Sequence, residues 1–109
     1  MGRFDELLQR FIPWAQGEAQ IYSAVVLGSQ AREERPADPF SDLDILMVVE
    51  RPSRFLKEDQ WLQDIGPYWL SFVEDTLGGG RERRVLFDGS RDVDFVLFSL
   101  EELKRAFHA

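Results

Sequence analysis

A chain of 109 residues with 13 Lys and Arg against 20 Asp and Glu, a formal charge of −7, is sized for one domain (residues 1–109) with a real core. Its 44% hydrophobic content and absence of cysteine exclude disorder, disulfide frameworks, thiolate metal sites and cysteine nucleophiles. The acidic balance makes nucleic acid an unlikely partner and leaves "RERR" (Arg81–Arg84) and the pair Arg32/Arg35 as the only local basic candidates.

The opening predicts an amphipathic helix, because Phe4, Leu7, Leu8, Phe11 and Ile12 recur at three- and four-residue spacing until Pro13 stops the pattern. The start lacks the apolar centre of a signal peptide, Glu6 breaks the myristoylation pattern, and no apolar run approaches a membrane span. A cytoplasmic protein with no membrane partner is therefore expected. "AQIYSAVVLG" (Ala19–Gly28) is rich in β-branched and aromatic residues and reads as a strand ending at glycine. "SQAREER" follows as a short helix capped by Ser29, and Pro36 and Pro39 prevent its continuation. "DLDILMVVE" is a second strand whose nearly continuous apolar run implies burial on both faces.

"SRFLKEDQWLQDIG" predicts one full helix capped by Ser53 and ended by Gly66-Pro67. "YWLSFVED" is a third strand and "TLGGGRE" a loop. "RRVLFDGSRDVDFVLF" reads as a hairpin turning at Asp88-Gly89, and "SLEELKRAFHA" as a closing helix capped by Ser99. The order of elements predicts an α/β (α+β) fold, a mixed sheet of about four to five strands flanked by helices.

Chemistry concentrates in the acids. Side chains alternate along a strand, so Asp42 and Asp44 share a face, as do Asp92 and Asp94. If the two strands are neighbours, three or four carboxylates converge, and a divalent cation such as Mg²⁺ or Mn²⁺ relieves their repulsion. Two such ions about 3.5–4 Å apart form the clamp of in-line phosphoryl displacement. Gly28-Ser29, between a strand and a helix, supplies amides and a hydroxyl suited to a phosphate. Taken singly, each feature has a plainer reading: strand-end aspartates, a helix cap, a turn. Their ordered combination points to nucleotide-triphosphate chemistry.

"GSQAR", "FSDLDILMVV", "WLQDIG" and "VLFDGSRDVDFVLFSLEEL", spanning Ala24 to Leu103, resemble the polymerase-β-like nucleotidyltransferase superfamily. Within it they are most similar to the N-terminal domain of aminoglycoside 6-adenylyltransferases. The resemblance implies the nucleotidyltransferase fold, ATP as co-substrate, and AMP transfer to an aminoglycoside hydroxyl with pyrophosphate released. It implies that Asp42, Asp44 and Asp94 are catalytic and bind the metal, with Asp92 the alternative third carboxylate. The triphosphate would rest on Gly28 and Ser29, and Arg32 matches the family arginine that reaches a phosphate or stabilises the helix. Glu33 stands where the family often has glycine. The resistance enzymes continue into a helical C-terminal domain, so the chain is expected to be the N-terminal part of a longer enzyme or a minimal stand-alone version. The alternatives are an antitoxin-like domain modifying or binding a protein partner, and a catalytically degenerate nucleotide-binding module.

The remaining conspicuous residues read as structural. Trp61 and Leu62 suit the core, while Trp14, Tyr68 and Trp69 suit either the core or an exposed apolar patch. "RERR" reads as a solvated hairpin flank, and His108 sits at a terminus expected to fray.

Overall fold

The computed structural model describes residues 4–28, 43–75 and 80–108. Along the chain it places α1 (Asp5–Gln16), β1 (Ile21–Gly28), β2 (Leu43–Val49), α2 (Pro52–Lys57) and α3 (Gln60–Ile65). There follow β3 (Tyr68–Asp75), β4 (Arg81–Phe87), β5 (Arg91–Phe98) and α4 (Leu100–His108). The expected short helix after Gly28 and the proline break beyond it lie outside the described residues.

The strands form one mixed sheet in the order β1-β2-β5-β4-β3, so the fold is α+β, as the sequence predicts. β2 and β5 run parallel at its centre, and the other three neighbouring pairs are antiparallel. The β4–β5 register follows from the turn. Gly89 (φ 83°) and Ser90 (φ 59°) both adopt left-handed backbone, which aligns Phe87 with Arg91 and every pair behind them.

The helices give the sheet two unlike faces. Leu43, Ile45, Met47 and Val49 of β2 alternate onto one face with Val85 and Phe87 of β4 and Val93, Phe95 and Leu97 of β5. There they pack with Phe4, Leu7 and Phe11 of α1, Phe55 and Leu56 of α2, and Trp61, Leu62 and Ile65 of α3. Aromatic contacts tie these layers together: Trp61 stacks on Trp14 at 5.3 Å and meets Phe95 edge-on at 5.0 Å. α4 packs against β2 and β5, where Val48 and Phe98 of the opposite face are also buried. At the outer strands the cover runs out, leaving Val25, Leu27, Trp69, Leu70 and Phe72 exposed. Trp14 and Tyr68 are half-buried against the core, so of the three ambiguous aromatics only Trp69 lies in the open.

Two helix expectations are corrected. α1 continues through Pro13 to Gln16 rather than stopping there. The proline forfeits one backbone hydrogen bond, but Trp14 beyond it gains the Phe11, Phe55 and Trp61 rings. The helix predicted from Ser53 is two short helices that start at Pro52, with Glu58 extended between them, and Ser53 makes no cap. Arg83, buried on β4, fills this break. It donates to the carbonyls of Leu56 (2.7 Å) and Phe55 (3.2 Å) and to Ser71 Oγ (2.9 Å), and pairs with Asp59. Carbonyls left unpaired by a helix end are thereby satisfied from another strand.

The Ser99 cap is present in reciprocal form. Glu102 N–H donates to Ser99 Oγ (3.1 Å), and Ser99 N–H donates to Glu102 Oε1 (3.0 Å).

Candidate active site

Directly aligned residues on neighbouring strands share a face, and one such row crosses the whole sheet. Leu27, Asp44, Asp94, Arg84 and Phe72 are successive partners on β1, β2, β5, β4 and β3. The row lies on the face opposite the α1–α3 core, because core residues flank it on β2, β4 and β5. Asp44 and Asp94 are thus placed side by side across the central parallel pair. The juxtaposition that two acidic strands made conditional is realised, since β2 and β5 are neighbours. Asp92 lies on the same face, aligned with Leu86.

The two aspartates differ in surroundings. The Asp94 side chain is only 8% exposed, whereas Asp44 is half-buried. A buried carboxylate requires charge compensation. Arg84 provides it: Nε lies 2.9 Å from Asp94 Oδ1, and the other end of the guanidinium reaches Asp92 Oδ2 at 3.6 Å. Asp94 raises the pKa of Arg84 above its already high value. Partial burial opposes that shift, while Asp92 and Glu82 add to it. The guanidinium therefore remains charged at every accessible pH. Its Cζ lies over the Phe72 ring, 5.7 Å from the centroid.

Arg84 is the participant that the sequence reading missed, having assigned "RERR" to a solvated flank. Of that stretch, Arg83 is buried among the helices and Arg84 lies in the acidic row, while Arg81 pairs with Asp75 at 3.2 Å. The signal was available. A turn at Asp88–Ser90 that aligns Phe87 with Arg91 also aligns Arg84 with Asp94 by counting back along both strands.

Gly28 ends β1 beside Leu43, in the row next to Asp44 and Asp94. The strand end expected to approach a phosphate therefore opens at the level of the acids. Ser29, Arg32 and Asp42 lie outside the described residues. Among the described residues no three metal-ligating side chains form a cluster.

Compared with known proteins, the chain matches the streptomycin adenylyltransferase family over residues 1–109. It belongs to that family. Among curated relatives, the aminoglycoside 6-adenylyltransferase of Bacillus subtilis (strain 168) is 26% identical over 94% of this chain and 38% of its own length. A crystal structure of an aminoglycoside 6-adenyltransferase from Bacillus subtilis superposes with a TM-score of 0.71. The match has 20% identity and covers 99% of this chain and 39% of that one. At that identity the superposition establishes a shared fold. This streptomycin adenylyltransferase family member thus spans well under half the length of both relatives.

Proposed function

We propose that the chain is the nucleotide-handling part of a Mg²⁺-dependent adenylyltransferase that moves AMP from ATP to a hydroxyl of an aminoglycoside. The observation that carries this reading is the in-register pair Asp44 and Asp94 on the face opposite the α1–α3 core, level with the end of β1 at Gly28. The donor set fits the metal: hard carboxylate oxygens from two adjacent strands, with Asp42 one position before β2 in the sequence, suit Mg²⁺ or Mn²⁺ rather than softer cations. When bound, such an ion neutralises phosphate charge and acidifies the attacking hydroxyl.

The chain's own groups account for the rest. Gly28 and Ser29 receive the triphosphate through backbone amides and a hydroxyl, and Arg32 adds a cation next to it. Asp44 and Asp94 stand on a sheet backed by the aromatic core, which fixes their separation without a flexible loop. The acceptor oxygen forms a bond to the α-phosphorus as the bond to the bridging oxygen of pyrophosphate breaks, and the hydroxyl proton leaves to a base. Asp44 and Asp92, partly exposed on that face, give a polycationic acceptor an anionic approach.

Two measurements test the reading. Calorimetric titration of ATP into the purified chain, with and without Mg²⁺, should give binding that depends on the metal. Mass spectrometry of aminoglycosides incubated with chain, ATP and Mg²⁺ should find an added AMP, and pyrophosphate should appear in equal amount. Binding without transfer to any aminoglycoside moves the acceptor to a separate protein partner. No ATP binding under either condition overturns the enzymatic reading and leaves a degenerate module.

A further inference from the structure

Arg84 is a full positive charge built into the centre of the acidic row, which is unusual for a surface meant to gather cations. Three features set it apart from an ordinary surface ion pair. Its register fixes it opposite Asp94, its Nε is bonded to the buried carboxylate, and its far end reaches Asp92 as well. The Phe72 ring on the edge strand lies under the same guanidinium, with Cζ 5.7 Å from its centroid.

We propose that Arg84 is the resident counter-cation of this carboxylate row, a positioning residue that acts through Asp94 and sets how tightly a divalent cation is held beside Asp44. The inference rests on the metal-binding reading of Asp44 and Asp94. Without an ion, two aligned carboxylates with Asp92 nearby repel one another, and the guanidinium offsets that repulsion. When a divalent ion arrives, it meets a site already partly neutralised, so affinity is held down and the ion exchanges readily. The same arrangement keeps Asp94 oriented along the sheet face between turnovers.

Mn²⁺ serves as the probe, its free concentration read by electron paramagnetic resonance during titration of the purified chain. Arg84→Gln removes the charge and should bind Mn²⁺ more tightly by on the order of tenfold, since a unit charge at this range acts strongly on a divalent ion. Arg84→Lys keeps the charge and should stay within about twofold of the parent, as a charge-based role requires. In the unaltered chain, the Arg84 Nε–H nuclear magnetic resonance signal should shift on adding Mg²⁺ and lose that response in Asp94→Asn. This second measurement does not depend on any Arg84 variant folding.

A purely structural ion pair predicts otherwise: Arg84→Gln would lose stability with Mn²⁺ affinity unchanged or weaker, and the Nε–H signal would ignore Mg²⁺. Either result overturns the proposal. Mn²⁺ binding that depends on Asp94 but ignores residue 84 overturns this inference alone. Absence of Mn²⁺ binding in every chain overturns the metal reading and this inference together.

Discussion

Asp44 and Asp94 face each other in register across the parallel β2–β5 pair, two like charges on one side of a sheet. Such a pairing is destabilising in itself, as like charges placed directly opposite across neighbouring strands are. Asp44→Asn should therefore raise the stability of the metal-free chain by about 0.5–1 kcal/mol, by relief of cross-strand repulsion. The same variant should lower adenylyl transfer about 100- to 1000-fold, as expected on losing one electrostatic contact at the reacting centre. Urea denaturation in chelator and a pyrophosphate-release assay check the two halves. Unchanged turnover would remove Asp44 from the site.

Arg83, almost fully buried, joins β4 to the break between α2 and α3 through the carbonyls of Phe55, Leu56 and Glu58 and the Asp59 carboxylate, and to β3 through Ser71. Arg83→Met keeps the volume but removes the shared donor, although the Trp61 indole still donates to Phe55 O and Asp59 meets solvent, so about 3 kcal/mol of stability should be lost, in the range for breaking one side of a buried charged network. Chemical denaturation measures it, and a loss under about 1 kcal/mol would show that water replaces the guanidinium without cost.

Pro13 interrupts the backbone bonding of α1. Pro13→Ala restores the missing donor and should stabilise the chain by about 1–2 kcal/mol, less than the ~3 kcal/mol of a free helix because the unfolded chain regains freedom. A lower midpoint in urea would mean that the proline sets an angle Trp14 needs for its stacking.

Gly80 approaches β5 so closely that a Cβ there would lie 2.7 Å from the Phe98 ring and 3.0 Å from the Leu97 carbonyl oxygen. Gly80→Ala should cost about 1–3 kcal/mol through overpacking. Thermal unfolding checks it, and a neutral result would show that the Phe98 ring turns aside freely.

What the residue pattern conveyed, and what it left out, follows one rule. All five strands were legible, because β-branched, aromatic and apolar runs and the Asp88-Gly89 turn are local signals. The central pairing of β2 with β5 was not, since nothing in either segment names its neighbour; only the shared pattern of acids made that pairing worth suspecting. The single helix expected over residues 53–66 failed for the same reason. Its sequence is periodic throughout, and the partner that satisfies its break, Arg83, belongs to a distant strand. Arg84 was overlooked because four-residue charge runs read as solvated, although hairpin counting places it against Asp94.

The parallel β2–β5 pair has a kinetic meaning. Parallel neighbours cannot be joined by a tight turn, and here α2, α3, β3 and β4 intervene along the chain. Loop-closure entropy should therefore make that pair close later in folding than the local hairpins. Hydrogen exchange at the amides of Ile45 and Phe95 should consequently report opening of the entire molecule, with no partial route that separates Asp44 from Asp94 while the remainder stays intact. On that outcome the two carboxylates are either both in place or the chain is unfolded, and a cation meeting the native protein encounters no half-built version of the pair.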